Sequence, residues 1–413
     1  MDLIQVRRQF PALMQRVNGQ APLFLDGPGG AQVPQSVLSA MSAYLGYYNS
    51  NLGGAFFSSD KTVNLMNDAR QAVADLLNAP CKEQIVFGAN MTSLTFSFSR
   101  AISRDWQTGD EVIVTNADHY SNVSSWRQAA EDKGASVHAV RINEDDCTLD
   151  LAHYKSLLNN NTKLVAVTYA SNTTGSINDI KQIVELAHQV GALVYVDAVH
   201  YAPHELVDVQ ALDCDFLACS AYKFFGPHVG IVYGKREHLE GFTPYKVEPA
   251  KDVIPGRWET GTQSFEGLAG VIAAIDYIAS LSGMSEDTPR RERLTTAFVK
   301  TKQHEMALSE YFLTRLEQFP QISLFGIADK ARLAERTPTF ALTFVGLAPR
   351  AVSEFLGKQH MCVWDGNFYA QGLCEQLGVM DKGGVVRIGC MHYNTIEELE
   401  RLFNAFEQLL AES

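Results

Sequence analysis

The chain has 413 residues, 46% hydrophobic and 20% charged, the proportions of an ordinary globular protein with enough chain for two domains. Its 34 basic and 47 acidic residues leave a net charge of −13, which argues against non-specific binding to nucleic acid or to an anionic membrane. Seven cysteines, an odd number without CxxC spacing, point to reduced thiols in a cytoplasm and away from zinc, and no metal is expected. No apolar run approaches the roughly 18 residues of a membrane helix. The segment Met1-Asp2-Leu3-Ile4-Gln5-Val6-Arg7-Arg8 lacks the apolar centre of a signal peptide, so a cytoplasmic location is expected.

In chain order, residues 1–20 read as an N-terminal arm, 21–275 as a large domain and 276–413 as a small one. The first marked punctuation is Asp26-Gly27-Pro28-Gly29-Gly30-Ala31. It lacks the third glycine of a dinucleotide fingerprint and opens no obvious helix, so it is expected near an active site instead. Apolar, β-branched runs follow at 84–87, 111–115, 137–142, 163–170, 192–197, 215–219 and 230–233. Amphipathic segments lie between them. The clearest begins after Asn178-Asp179, places Ile180, Ile183, Val184 and Ala187 on one face, and stops at Gly191. Strands with few polar positions alternating with helices predict an α/β fold whose mostly parallel, seven-stranded sheet is covered on both faces. After about residue 262 the pattern changes. A long helix is predicted from Thr288-Pro289 to about 318, with extended runs at 339–344 and 385–390. A last helix opens on the capping box Thr395-Ile396-Glu397-Glu398. These elements predict a smaller α+β domain.

Ligands of open parallel sheets bind beyond the carboxyl ends of the strands. His119, Asn172, Asp197, His200, Ser220, Tyr222 and Lys223 all fall at or just after predicted strand ends. Each alone suits a turn or an N-cap. Their concentration on successive strands favours a site. Lys223 follows the apolar run Phe216-Leu217-Ala218-Cys219-Ser220-Ala221-Tyr222, an unusual setting for a solvated lysine. Asp197 ends Leu193-Val194-Tyr195-Val196, where a buried carboxylate is costly without a cation or donors. A lysine that forms a Schiff base with an aldehyde and an aspartate that keeps a pyridinium protonated are the binding pair of pyridoxal 5′-phosphate. The strand–turn–helix run from Gln84 to Ser93 offers unpaired backbone N–H groups and the Thr92 and Ser93 hydroxyls to a phosphate. Ser220 is a further candidate donor. Arg387, in the apolar run Val385-Val386-Arg387-Ile388, needs an anionic partner. That partner is either a protein carboxylate or the α-carboxylate of a substrate.

These motifs resemble the class V aminotransferase family of fold-type I pyridoxal-phosphate enzymes, in particular its cysteine desulfurase and selenocysteine lyase branch. The resemblance runs from about Leu23 to the C-terminus. It rests on Asp118-His119-Tyr120-Ser121-Asn122, Ser171-Asn172-Thr173-Thr174-Gly175, Val196-Asp197-Ala198-Val199-His200, Ser220-Ala221-Tyr222-Lys223, and Arg387 with Tyr393-Asn394-Thr395. It implies that Lys223, His119 and Asp197 are catalytic. Lys223 would bind the aldehyde and move protons at the substrate Cα, His119 would stack on the ring, and Asp197 would pair with its nitrogen. Asn172 would meet the substrate or the phenolic side. Met91, Thr92, Ser220, His200 and Tyr222 would surround the phosphate and ring, and Arg387 would hold the substrate. Thr262 would reach the phosphate of a partner subunit, which implies a homodimer with shared active sites. The substrate would be a small amino acid and the reaction cysteine desulfurase-like, with cleavage or elimination at Cβ. An aminotransferase, an epimerase and a non-catalytic, cofactor-bound interaction protein are the alternatives.

The departures from the family pattern are specific. Tyr222 stands where desulfurases carry a histidine, His200 where they carry glutamine, and Asn90-Met91-Thr92 where they carry Gly-Thr-Thr. The loop matching their nucleophilic cysteine reads Val363-Trp364-Asp365-Gly366-Asn367-Phe368-Tyr369-Ala370 and contains no thiol.

Overall fold

The computed structural model describes residues 2–412. Seven strands form the main sheet: β1 (Ile85–Gly88), β2 (Glu111–Thr115), β3 (Ser136–Val140), β4 (Thr162–Thr168), β5 (Leu193–Asp197), β6 (Phe216–Ser220) and β7 (Gly230–Gly234). Their spatial order is β1-β7-β6-β5-β4-β2-β3. Pairing is parallel from β3 through β6, and β7 runs antiparallel to both β6 and β1. Each predicted strand is present, displaced by at most two residues at an end. The reason lies in their burial: β6 and β7 are buried at every position and β5 at all but its first. Residues that alternate along each strand join separate apolar clusters on the two faces. Val86, Val112, Val114, Tyr195 and Phe216 pack on one, and Phe87, Ile113, Val194, Val196 and Leu217 on the other.

The amphipathic segment after Asp179 is a helix at Ile180–Gln189, capped by the Asp179 carboxylate on the Gln182 N–H and ended at Gly191 in a left-handed conformation. The long helix spans Arg290–Leu316 and belongs to both halves of the molecule. Leu294, Ala297 and Phe298 enter the core beside the main sheet, while Leu308, Phe312 and Leu313 enter a second core.

That second core lies on a four-stranded antiparallel sheet. Its strands are β8 (Ile322–Phe325), β9 (Thr339–Phe344), β10 (Trp364–Gly366) and β11 (Val385–Gly389), in the order β10-β11-β9-β8. The terminal helix Ile396–Glu412 covers it with Leu399, Leu402, Phe403 and Phe406. Its capping box forms as predicted: Glu398 N–H donates to the Thr395 hydroxyl at 3.3 Å, and Thr395 N–H donates to the Glu398 carboxylate at 3.2 Å. Leu23 and Leu25 also bury in this second core, and Leu23–Phe24 pairs in parallel with Met361–Cys362. The N-terminal stretch thereby carries the turn at residues 26–30 into the space between the two sheets.

Candidate active site

One cavity is lined by Asn90, Met91, Thr92, His119, Ser121, Asn172, Asp197, His200, Ser220, Tyr222 and Lys223, together with Thr168, Ala170 and Val199. Nine of the eleven predicted site residues, all but Thr262 and Arg387, line this cavity; they converge because β2, β4, β5 and β6 are parallel and end on the same edge. Register makes the placement specific. Thr168 lies opposite Asp197 across β4 and β5, and Asp197 lies opposite Ala218 across β5 and β6. Lys223 then follows in a short turn, Ala221–Lys223, directly after β6.

Lys223 is buried, and its Nζ donates to the Pro28 carbonyl oxygen. The Gly/Pro turn is therefore at the active site, as its sequence suggested. Nζ also lies 4.6 Å from the centre of the Tyr222 ring. Burial, then the Arg387 charge, lower the lysine pKa to about 7, while Asp197 and Asp26 act in the opposite sense. Asp197 is buried and accepts one hydrogen bond, from Val199 N–H to Oδ1 at 2.9 Å. Its Oδ2 has no partner among the described residues. Burial raises its pKa to about 6, against the Val199 N–H and the Lys223 charge. A carboxyl in this condition suits a ligand that brings both a positive charge and a donor.

His119 is fixed through Nδ1, which lies 2.7 Å from the Ser121 hydroxyl and accepts the Ser121 N–H at 3.1 Å. Burial, with the Lys223 and Arg387 charges, lowers its pKa to about 4, so the imidazole is neutral at neutral pH. The start of the helix Met91–Ile102 follows β1. Asn90 Oδ1 caps the Ser93 N–H at 2.8 Å, and Thr92 is exposed at the first turn. Room for this turn depends on Gly230, where an added Cβ would meet the Asn90 carbonyl carbon at 2.3 Å and the Met91 nitrogen at 2.7 Å.

Arg387 comes from the middle of β11, buried, and its burial lowers the guanidinium pKa to about 9. It forms no ion pair among the described residues. Nη1 donates to the Asn172 carbonyl oxygen at 2.8 Å, the guanidinium lies 3.9 Å from the centre of the Phe368 ring, and Nε is buried without a partner. The carboxyl of Asp26 helps to sustain its charge. Asp26 is itself raised to about 6 by burial, with one oxygen unpartnered. Asn172 Nδ2 donates to the Phe368 carbonyl oxygen at 3.0 Å, and its Oδ1 is buried and unpartnered. Three orphaned polar atoms (Asp26 Oδ1, Asn172 Oδ1 and Arg387 Nε) thus lie around the site. Together with the open side of Asp197, they fit a polar group bound there.

Sequence reasoning singled out the loop at residues 363–370 for its missing thiol but not for its contacts. Trp364–Gly366 is a strand paired with β11, with Trp364 opposite Arg387. Phe368 and Tyr369 both take left-handed backbone conformations, at φ 52° and 58°. Tyr120 N–H donates to the Tyr369 carbonyl at 2.7 Å, and the Tyr369 ring lies 5.3 Å from His119. No cysteine lines the cavity. Cys374 lies outside the lining, buried on the helix Gln371–Gln376, and burial pushes its thiol up to about 11.

Two expected site residues are placed differently from the rest. His200 lines the cavity, but its Nε2 is engaged by the hydroxyls of Thr337 and Thr339. Thr262 is exposed and lines a separate cavity with Ser93, Ser97, His228, Trp258 and Thr260.

The sequence matches the family described as Aminotransferase class-V over residues 23–402. The chain belongs to that family. It is 31% identical to a cysteine desulfurase of Synechococcus elongatus, over 99% of this chain and 64% of that longer protein. It is also 31% identical to a cysteine desulfurase of Pectobacterium carotovorum, over 98% and 97% of the two chains. An aminotransferase-like protein of Gibberella zeae is 32% identical over 98% of each. In three dimensions the chain superposes on a cysteine desulfurase from Thermococcus onnurineus with a TM-score of 0.88 and 25% identity, covering 99% and 98% of the chains. The cysteine desulfurase CsdA of Escherichia coli gives 0.85 and 26%, covering 100% and 99%. The chain is a pyridoxal-phosphate-dependent enzyme, cysteine desulfurase-like in sequence and fold.

Proposed function

We propose that this enzyme removes the Cα proton of a small amino acid, cysteine or a close analogue, and releases the Cβ substituent by elimination. The observation that carries the reading is the convergence of Lys223, Asp197 and His119 on one cavity that contains no thiol. When bound, pyridoxal phosphate supplies an aldehyde that joins amines and a protonated ring that withdraws electrons from Cα.

The chain's residues take distinct parts. An amine with a pKa of about 7 is partly unprotonated at neutral pH, so Lys223 would hold the cofactor's aldehyde and could accept the Cα proton of the substrate. Asp197 would keep the ring nitrogen protonated. Neutral His119 would lie against the ring. The free N–H groups at the start of Met91–Ile102, with Thr92 and Ser220, would hold the phosphate. Arg387 grips the substrate carboxylate, its plane set by Phe368, and Asn172 meets the substrate beside it. In cysteine elimination the Cα–H electrons form the Cα–Cβ double bond. The Cβ–S pair leaves with sulfur as sulfide, and hydrolysis of the released enamine gives pyruvate and ammonia.

Transamination or epimerisation is the second reading. The thiol-free cavity and the similarity to an aminotransferase-like protein favour it. We also propose a homodimer in which Thr262 serves the partner's phosphate, and a division into domains near residue 276. Seven unpaired cysteines support a cytoplasmic location. No helix among the described residues is long and apolar enough to cross a membrane.

The test combines borohydride reduction with turnover. Reduction of the holoenzyme should fix the cofactor on Lys223. Incubation with cysteine should yield pyruvate and sulfide in equal amounts, with no persulfide in the mass spectrum of alkylated enzyme. A persulfide on Cys374 during robust turnover would restore ordinary desulfurase chemistry. A keto acid formed with retention of sulfur would favour transamination.

A further inference from the structure

We infer that Thr337 and Thr339 are positioning residues for the cofactor, turning the His200 imidazole so that Nδ1 is the nitrogen it presents to the cavity. The inference rests on the reading in which this cavity holds pyridoxal phosphate. His200 stands just beyond β5, three residues after Asp197. An imidazole has two distinct nitrogens, and what it offers a ligand depends on how the ring is turned. Something outside the ring must therefore set its orientation.

Two hydroxyls do so. Thr337 Oγ1 and Thr339 Oγ1 each lie 3.1 Å from His200 Nε2. Nδ1 is left without a partner among the described residues, in a side chain that lines the cavity. The threonines flank Pro338 where the chain enters β9 of the small sheet, and they have little freedom to move. Thr337 N–H donates to the Gly175 carbonyl at 2.9 Å. A Cβ on Gly175 would meet Thr337 Oγ1 and the Thr339 carbonyl oxygen, each at 2.8 Å, so the segment packs against bare backbone. Arg336, buried, donates through Nε to the Thr337 carbonyl at 3.2 Å and through Nη2 to that of Thr339.

The far side of the imidazole is closed by His204, whose ring centre lies 5.3 Å away at 68°. His204 is in turn held by Glu305 of the long helix at 2.9 Å. Burial, with His204, Arg387 and Lys223 adding to it, holds the His200 pKa well below the ordinary imidazole value. The imidazole is thus clamped between the two parts of the molecule, with one nitrogen toward each.

The experiment uses the holoenzyme and reads the cofactor's visible absorption maximum and its loss on dialysis. Thr337→Val/Thr339→Val keeps shape and removes both hydroxyls. It should shift the absorption maximum in the same direction as His200→Phe and speed cofactor loss about tenfold, the scale of one hydrogen bond. Thr337→Ser/Thr339→Ser should restore both readings. If the double valine variant does not fold, the two single valine variants carry the test. A shift in His200→Phe with none in the valine variants would overturn the positioning role and leave the proposed function standing. No shift in either would also overturn it, while borohydride labelling of Lys223 separately decides whether the cavity holds the cofactor.

Discussion

At the scale of single residues, the site holds ionisable groups away from their ordinary pKa values, mainly by burial. Asp197 is the simplest to test. Asn keeps the shape and the Val199 contact but cannot hold the ring nitrogen protonated, so the electron sink weakens. Turnover of Asp197→Asn should fall by about 100-fold or more, the scale of removing one preorganised charge, while cofactor occupancy falls much less. Equal activity would give this carboxyl another role. Lys223 makes a prediction about the apoprotein. Its folded pKa of about 7 lies below the ordinary 10.5, so between these values the unfolded chain binds more protons than the folded one. Stability from this group therefore rises with pH across that window. Asp197 and Asp26, each raised to about 6, contribute in the opposite sense at lower pH and are ionised in both states above 7. The melting temperature of the apoprotein, measured against Lys223→Met, should improve as pH is raised from 7 to 10. A flat difference would show that the lysine is not desolvated as the fold implies.

At the scale of elements, the phosphate turn is shaped by a neighbour. Gly230 begins β7 against the Asn90–Met91 peptide, and the atoms an added Cβ would strike are backbone. Gly230→Ala should cost about 1–3 kcal/mol through overpacking. It should also reduce cofactor retention beyond that loss, because the displaced atoms belong to the helix start that faces the phosphate. Gly46→Ala is the control: that position lies in the helix Gln35–Tyr47 with no atom within 4 Å, so stability should rise slightly. Differential scanning calorimetry and cofactor titration separate the two effects. The same elements show how far the sequence was legible. The seven strands of the main sheet read clearly because strands buried on both faces are continuous apolar runs, and their polar ends marked the site. The strands Ile322–Phe325 and Trp364–Gly366 escaped notice because they are short and mix polar with apolar positions. The Phe368 ring against Arg387 and the two threonines on His200 were not legible at all. Each contact joins residues distant in the chain, and no local pattern announces it.

At the scale of the whole molecule, Thr262 and the exposed phosphate turn raise the question of assembly. Thr92 and Ser93 lie at the surface of the single chain, which leaves the proposed phosphate site open on one side. The segment carrying Thr262 is firmly based: Glu259 pairs with buried Arg70 at 2.7 Å and accepts the Phe87 N–H at 2.9 Å. Thr262 nevertheless faces a cavity of its own chain that does not include Lys223. In the proposed homodimer that hydroxyl would complete the phosphate site of a second copy related by a two-fold axis, each chain supplying the same residue to the other. The protein should therefore sediment as a dimer, and diluting it to monomer should release the cofactor. Thr262→Ala should weaken cofactor binding by about tenfold without dissociating the dimer, since one hydroxyl is worth about 1 kcal/mol and an interface far more. The decisive mixture pairs Thr262→Ala with Lys223→Ala subunits. In such a hybrid the one functional lysine lies on the chain with alanine at position 262, and its partner carries Thr262. If the contact crosses the interface, that lysine site receives Thr262 from the Lys223→Ala chain and binds cofactor with normal affinity. Normal affinity in the hybrid, against tenfold weaker binding in the Thr262→Ala homodimer, supports the shared site. Weak binding in both, or a stable monomer with full cofactor occupancy, would exclude it.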